Sequence, residues 1–126
     1  MSMRTPLKSV RYLGSAKEGA DHFWKQRLTA VANVFLGIFL VWLLVSLLGA
    51  DHATVKHKLA NPLVSLALLA LVVSGTVHMR LGMQTIIEDY VHGEGLKIVA
   101  LMLNAFFAIF IALASIFSIL KLSFGA

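Results

Sequence analysis

His78 is the residue whose type and position carry the most chemistry in this chain. Ser74 and Gly75 precede it by four and three residues, and Gly82 follows it by four. On an α-helix these spacings put all four on one face. The run Leu59–Val77 just before it has no charge and no histidine, so the imidazole belongs to an apolar helix. An ionisable side chain inside a membrane span is a functional-site hypothesis by default. Two readings stay open. The small neighbours leave a gap that suits a flat macrocycle such as haem, with the imidazole on the iron. Alternatively the ring hydrogen-bonds another helix and the glycines allow close packing. His22, His52, His57 and His92 fall outside the apolar spans. A second axial imidazole on a haem would then come from another chain.

A second candidate lies further along the same helix, at Ile87-Glu88-Asp89-Tyr90-Val91-His92-Gly93. Two adjacent carboxylates at a helix C-terminus oppose the macrodipole, at some tenths of a kcal/mol each. Local rule-breaking of this kind is often functional. A phenol such as that of Tyr90 is a neutral hydrogen-bond donor, suited to a quinone carbonyl at a membrane surface. Asp89 beside it could pass protons or position water. A solvated helix end with an interfacial tyrosine is the plainer reading. Arg27, at the head of the first apolar run, could pair two-pronged with a haem propionate or be a snorkelling topology charge. Arg80 is two residues past His78 and projects about 200° away around the helix, toward the inner surface or an anionic partner. Asn104, Ser115 and Ser118 are the polar residues of the last apolar run, and Phe106, Phe107, Phe110 and Phe117 read as lipid or packing contacts; that run is assigned no chemistry.

The elements that must position these residues follow from where charge is absent. Leu28–Ala50, Leu59–Val77 and Ile98–Leu120 carry no charged residue. About 20 helical residues cross a hydrocarbon core of roughly 30 Å. The expectation is an all-α, integral-membrane bundle of three transmembrane helices near residues 28–49, 63–90 and 96–121. All of it forms one membrane-anchor domain over residues 1–126, in which residues 1–27 are a cytoplasmic segment. His78 then lies about 22 Å inward from the outer start of the second helix, and Tyr90 about 18 Å beyond His78. Asn61-Pro62 reads as a helix start. Gly93 and Gly95 read as a tight stop and restart.

Composition agrees. Of 126 residues, 59% are hydrophobic and 13% charged, with mean hydropathy +0.85; soluble domains run at about 25% charged. Disorder is excluded on the same ground. With no cysteine, the chain offers no disulfide, thiolate zinc site or iron–sulfur ligand. The net charge of +5 reflects no basic arm with interleaved aromatics, so nucleic acid is not an expected partner; membrane lipid is. Lys and Arg sort by side. Arg4, Lys8, Arg11, Lys17, Lys25, Arg27, Arg80 and Lys97 fall on one side; Lys56, Lys58 and Lys121 fall on the other. The positive-inside rule puts the N-terminus in the cytoplasm and the C-terminus outside. Trp24, Phe23 and Tyr90 sit where an inner aromatic belt would. The first apolar run is too long and starts too late for a signal peptide. The basic, acid-free opening would also suit a transit peptide, but the compact N-terminus favours a bacterial inner membrane.

The run His78-Met79-Arg80-Leu81-Gly82-Met83-Gln84-Thr85-Ile86-Ile87-Glu88-Asp89-Tyr90 resembles the signature of the succinate dehydrogenase hydrophobic membrane anchor (D) subunit family. The segment His22-Phe23-Trp24-Lys25-Gln26-Arg27-Leu28-Thr29-Ala30 resembles that family's opening, with arginine before Thr-Ala. The three-helix, N-inside plan extends the likeness over almost the whole chain. The resemblance implies a non-catalytic subunit of succinate:ubiquinone oxidoreductase, respiratory complex II, serving the tricarboxylic acid cycle and electron transport. It implies a cytochrome b-type anchor subunit as partner, a shared haem b with His78 as one axial ligand, and docking of an iron–sulfur subunit and a flavoprotein subunit. Ubiquinone would be reduced near Tyr90 and Asp89, and Arg27 would lie near the haem and quinone. Glu88 and His92 depart from the family pattern. From the residues alone, a small homo-oligomeric transporter or channel with a proton-relay histidine remains the alternative, as does a homodimeric cytochrome b with one haem between two copies of His78.

Overall fold

The computed structural model describes residues 15–125, so the topology charges Arg4, Lys8 and Arg11 lie outside the described residues. Four helices follow in chain order: α1 (Ser15–Ser46), α2 (His52–Leu59), α3 (Pro62–Tyr90) and α4 (Glu94–Ser123). The chain is all-α over this range, and α1, α3 and α4 are each long and apolar enough to cross a membrane. α3 is central: it packs against α1 on one side and α4 on the other, while α1 and α4 make no contact with each other among the described residues. The bundle is therefore an open row rather than a closed triangle, and both broad faces remain free.

The helix ends have identifiable causes. α3 starts where expected: Asn61 Oδ1 accepts from the Leu63 N–H at 2.9 Å and Pro62 occupies the first turn, where a missing N–H costs nothing. α1 begins at Ser15 rather than near residue 28. Charged residues end a membrane span without ending a helix, since Lys25 and Asp21 make an i,i+4 ion pair at 2.8 Å in a turn that faces water. Gly49, at φ +75°, takes the left-handed turn after α1 that glycine adopts without a Cβ clash. Between α3 and α4 no such turn is used. Val91 and Gly93 cap the two helices with φ −95° and −74°, so the expected glycine stop is an ordinary extended link.

The short helix α2 stands where only a connection was expected. Asp51 caps it, its Oδ1 accepting from the Thr54 N–H at 2.9 Å. Lys58, in its last turn, donates to Ser46 Oγ at 2.7 Å and lies over the Trp42 ring at 5.1 Å, tying α2 to the end of α1. The hydrogen bonds from Thr54 lower the Asp51 pKa below its ordinary value. A carboxylate with a depressed folded-state pKa stabilises above its ordinary range, and that contribution disappears as pH falls through the lowered value. Acidification below that point is therefore expected to lower the protection of amides in the first turn of α2, measured as exchange relative to the intrinsic rate at the same pH. Asp51→Asn, which keeps an acceptor cap, should remove this pH dependence; an identical acid response in the variant would show that the cap charge is not involved.

Very little of the chain is buried within itself. Leu43 (2% exposed), Val64, Ser65, Leu81, Ile87 and Ala108 are the buried residues among those described. Phe35, Ile38, Trp42, Phe106, Phe107, Phe110 and Phe117 all point outward, as the apolar patterning of α4 implied. Lipid is as apolar as leucine, so helices in a bilayer associate through close packing and hydrogen bonds instead. Three contacts of that kind hold the row: Ser74 Oγ donates to Thr29 O at 3.3 Å, Thr29 Oγ1 and His78 Nδ1 lie 3.1 Å apart, and Asn104 Nδ2 donates to Arg80 O at 3.0 Å. Asn104 thus has a structural task that its helix's composition did not disclose.

Candidate functional site

The α1–α3 seam is polar for half its length. His22, Gln26, Thr29 and Asn33 recur at steps of four, three and four residues and form one stripe on α1. Facing them on α3 are Ser74, His78, Gly82 and Thr85. The join lies at His78, whose Nδ1 is 3.1 Å from Thr29 Oγ1. The same hydroxyl lies 2.8 Å from Lys25 O and 3.1 Å from Gln26 O. A hydroxyl has a single hydrogen, and these backbone carbonyls can only accept it. The Thr29 oxygen is then left to accept from Nδ1–H. This network assigns the Nδ1–H tautomer, in which Nε2 carries the free lone pair. Among the described residues nothing hydrogen-bonds Nε2.

The space around the ring is uneven. A Cβ added at Gly75 would meet nothing within 4 Å, whereas one at Gly82 would lie 3.4 Å from Gln26 Nε2. The glycines therefore do different things: Gly75 leaves open space, and Gly82 lets α1 approach. Beside Gly82 an open groove of about 510 Å³ is lined by Gly19, His22, Phe23, Gln26, Arg27 and Thr85. Along the seam, His22 Nε2, Gln26 Oε1 and Asn33 Oδ1 are sealed from solvent with no hydrogen-bond partner among the described residues. Buried polar atoms without partners cost roughly 1–3 kcal/mol each.

The other candidates lie nearby but do not converge on His78. Arg27 is exposed on the rim of that groove, its guanidinium 4.9 Å from the centre of the Phe23 ring. α3 runs unbroken from Pro62 to Tyr90, so about 18 Å separates His78 from Tyr90. Eleven residues bring Asp89 back to within about 20° of the His78 face, while Tyr90 is turned by about 120°. Tyr90 is 76% exposed. Glu88 is occupied, accepting from Gln84 Nε2 at 3.0 Å. The sequence carries a signal for the seam stripe, a heptad-like recurrence of His22, Gln26, Thr29 and Asn33 inside and just before an apolar run, which a reading of single ionisable residues does not register.

The fold and seam define a class: a three-span helical membrane protein with an oriented intramembrane imidazole. Residues 1–119 match the family of succinate dehydrogenase/fumarate reductase transmembrane subunits, and the chain belongs to that family. It is 28% identical over 116 residues to the succinate dehydrogenase hydrophobic membrane anchor subunit of Rickettsia bellii, covering 92% of this chain and 93% of the relative. It is 27% identical over 122 residues to that of Paracoccus denitrificans, covering 97% and 94%. The succinate dehydrogenase membrane anchor subunit of Reclinomonas americana is 30% identical over 96 residues, 74% and 80% of the two chains. No solved structure matches the chain significantly.

Proposed function

We propose that this chain is the hydrophobic membrane anchor subunit of a succinate dehydrogenase, and that it supplies one axial ligand to a haem b shared with a second anchor subunit. The observation that carries the haem reading is the Thr29–His78 hydrogen bond. A ligating imidazole characteristically donates its other N–H to a fixed acceptor, which sets tautomer and ring orientation. Among the described residues no three His, Asp or Glu side chains converge. A single imidazole on a porphyrin iron is the role this reading gives His78. The sealed atoms of His22, Gln26 and Asn33, and the open space at Gly75, fit a group inserted at this seam. Arg27, with its guanidinium free on the groove rim, would hold a propionate. When bound, the haem supplies a one-electron redox centre.

The chain's own residues have separable tasks. Thr29 fixes the His78 ring. Tyr90 donates a hydrogen bond to the carbonyl oxygen of ubiquinone, and Asp89 holds or relays a proton at its carboxylate. Both stand beyond the membrane span, where a partner surface completes the pocket. The long ends of α1, α3 and α4 on that side expose Phe23, Trp24, Ile86, Tyr90, Leu96, Ile98 and Val99. They form the docking surface for the cytochrome b-type, iron–sulfur and flavoprotein subunits, with the N-terminus in the cytoplasm of a bacterial cell. The open row leaves the faces that such partners need.

Affinity purification through a tag on this chain in mild detergent tests the reading. The expected product is a four-subunit complex containing flavin, iron–sulfur and haem, active with succinate and quinone. A colourless homo-oligomer would overturn it in favour of a transporter or channel, and a red homodimer in favour of a self-sufficient cytochrome b.

A further inference from the structure

A different part of the molecule carries an unanswered charge. With the opposite helix ends taken as the far hydrocarbon boundary, the three spanning helices put the boundary on the Tyr90 side at one level. About 20 residues cross the apolar core. Counted from the opposite ends, Ser46, Pro62 and Ser123, this reaches Gln26, Gly82 and about residue 103. The side chains agree: Gln26 meets Gly82, and Asn104 bonds the Arg80 carbonyl. Arg80 therefore sits at the level where glycerol and phosphate groups of lipids begin. It is exposed, on the side of α3 away from the His78 face. Among the described residues its guanidinium has no carboxylate within ion-pair distance; the ion pair present is Lys25–Asp21.

Below Arg80, toward the membrane centre, α3 and α4 leave an open groove of about 240 Å³ lined by Val73, Thr76, Val77, Ala108, Ile109 and Ala112, with Arg80 at its boundary end. Ala108 and Ala112, one turn apart, line its floor with small side chains. The only hydroxyl, on Thr76, is used up on its own backbone, donating to Val72 O at 2.7 Å. The groove is thus apolar along its length and cationic at its mouth, with Asn104 pinning the two helices at that point. This is the polarity of an amphiphile. A guanidinium takes a phosphate diester in a two-pronged bond, and a basic group near an anionic leaflet gains about 1 kcal/mol. A protein carboxylate brought to the same place would first have to be desolvated, at several kcal/mol.

We propose that the α3–α4 groove binds one anionic phospholipid of the leaflet on the Tyr90 side, with an acyl chain along Val73, Val77, Ala108 and Ala112 and the phosphate on Arg80. This rests on the membrane span alone, whatever the α1–α3 seam binds. The test is native mass spectrometry, with lipid extraction, on whatever complex this chain purifies in. The wild-type and Arg80→Lys forms are expected to retain about one more anionic phospholipid per complex than Arg80→Gln, with zwitterionic lipid unchanged. Ala112→Phe, which fills the groove and leaves the charge, should lose the same lipid. In delipidated wild-type complex, added phosphatidylglycerol should raise the unfolding temperature, and phosphatidylcholine should not. Equal retention of anionic lipid in wild-type and Arg80→Gln complexes of the same subunit composition would overturn the proposal. So would a photo-crosslinker at position 80 that captures another polypeptide instead of lipid.

Discussion

Replacing His78 by alanine is expected to abolish the haem absorbance of the purified complex or convert it to that of a five-coordinate iron. On the proposed ligation, removing the imidazole takes away one of two axial ligands, and α3 contains no other histidine to substitute. Thr29→Val makes a finer version of the same test. Valine keeps the volume and removes the only acceptor for Nδ1–H, the hydrogen bond of 3.1 Å. Loss of such an orienting contact typically costs about 10- to 100-fold in metal affinity or activity. The imidazole also becomes a poorer electron donor, so the haem midpoint potential should rise while the complex still assembles. An unchanged spectrum in His78→Ala would remove the ligand assignment. A normal potential in Thr29→Val would mean that the hydroxyl only packs the helices.

Tyr90→Phe is expected to slow succinate-dependent quinone reduction by roughly five- to tenfold, the equivalent of one net hydrogen bond in the transition state. Succinate oxidation measured with an artificial soluble acceptor should be largely unaffected, because on the proposed reading that electron path ends before the membrane. Tyr90 is one of the most exposed aromatic residues of the chain and contributes nothing to its internal packing. The substitution therefore tests chemistry rather than folding. Equal loss in both assays would point to misassembly of the complex, and no loss in either would return Tyr90 to the role of an interfacial anchor.

The spans were readable from the chain because the bilayer imposes one demand, a charge-free run long enough to cross it. That demand leaves a mark at every position, and so does the Asn61-Pro62 start of α3, whose capping is local. The depth of His78 on a continuous α3 was readable for the same reason. Other features were not marked in this way. α1 continues to Ser15 because hydrophobicity records where lipid ends, and helices do not stop there. α2 leaves no mark in the sequence because eight residues capped by one aspartate carry no periodicity. Which face of α3 meets α1, the pairing of Thr29 with His78, and the choice of Nε2 as the free nitrogen depend on contacts 49 residues apart in the chain. So does the separation of α1 from α4, which leaves one seam polar and the opposite groove apolar with a single arginine at its mouth. Close packing selects among helix faces that look alike in one dimension, so residue order alone shows that a histidine lies in the membrane but not which atom holds it still.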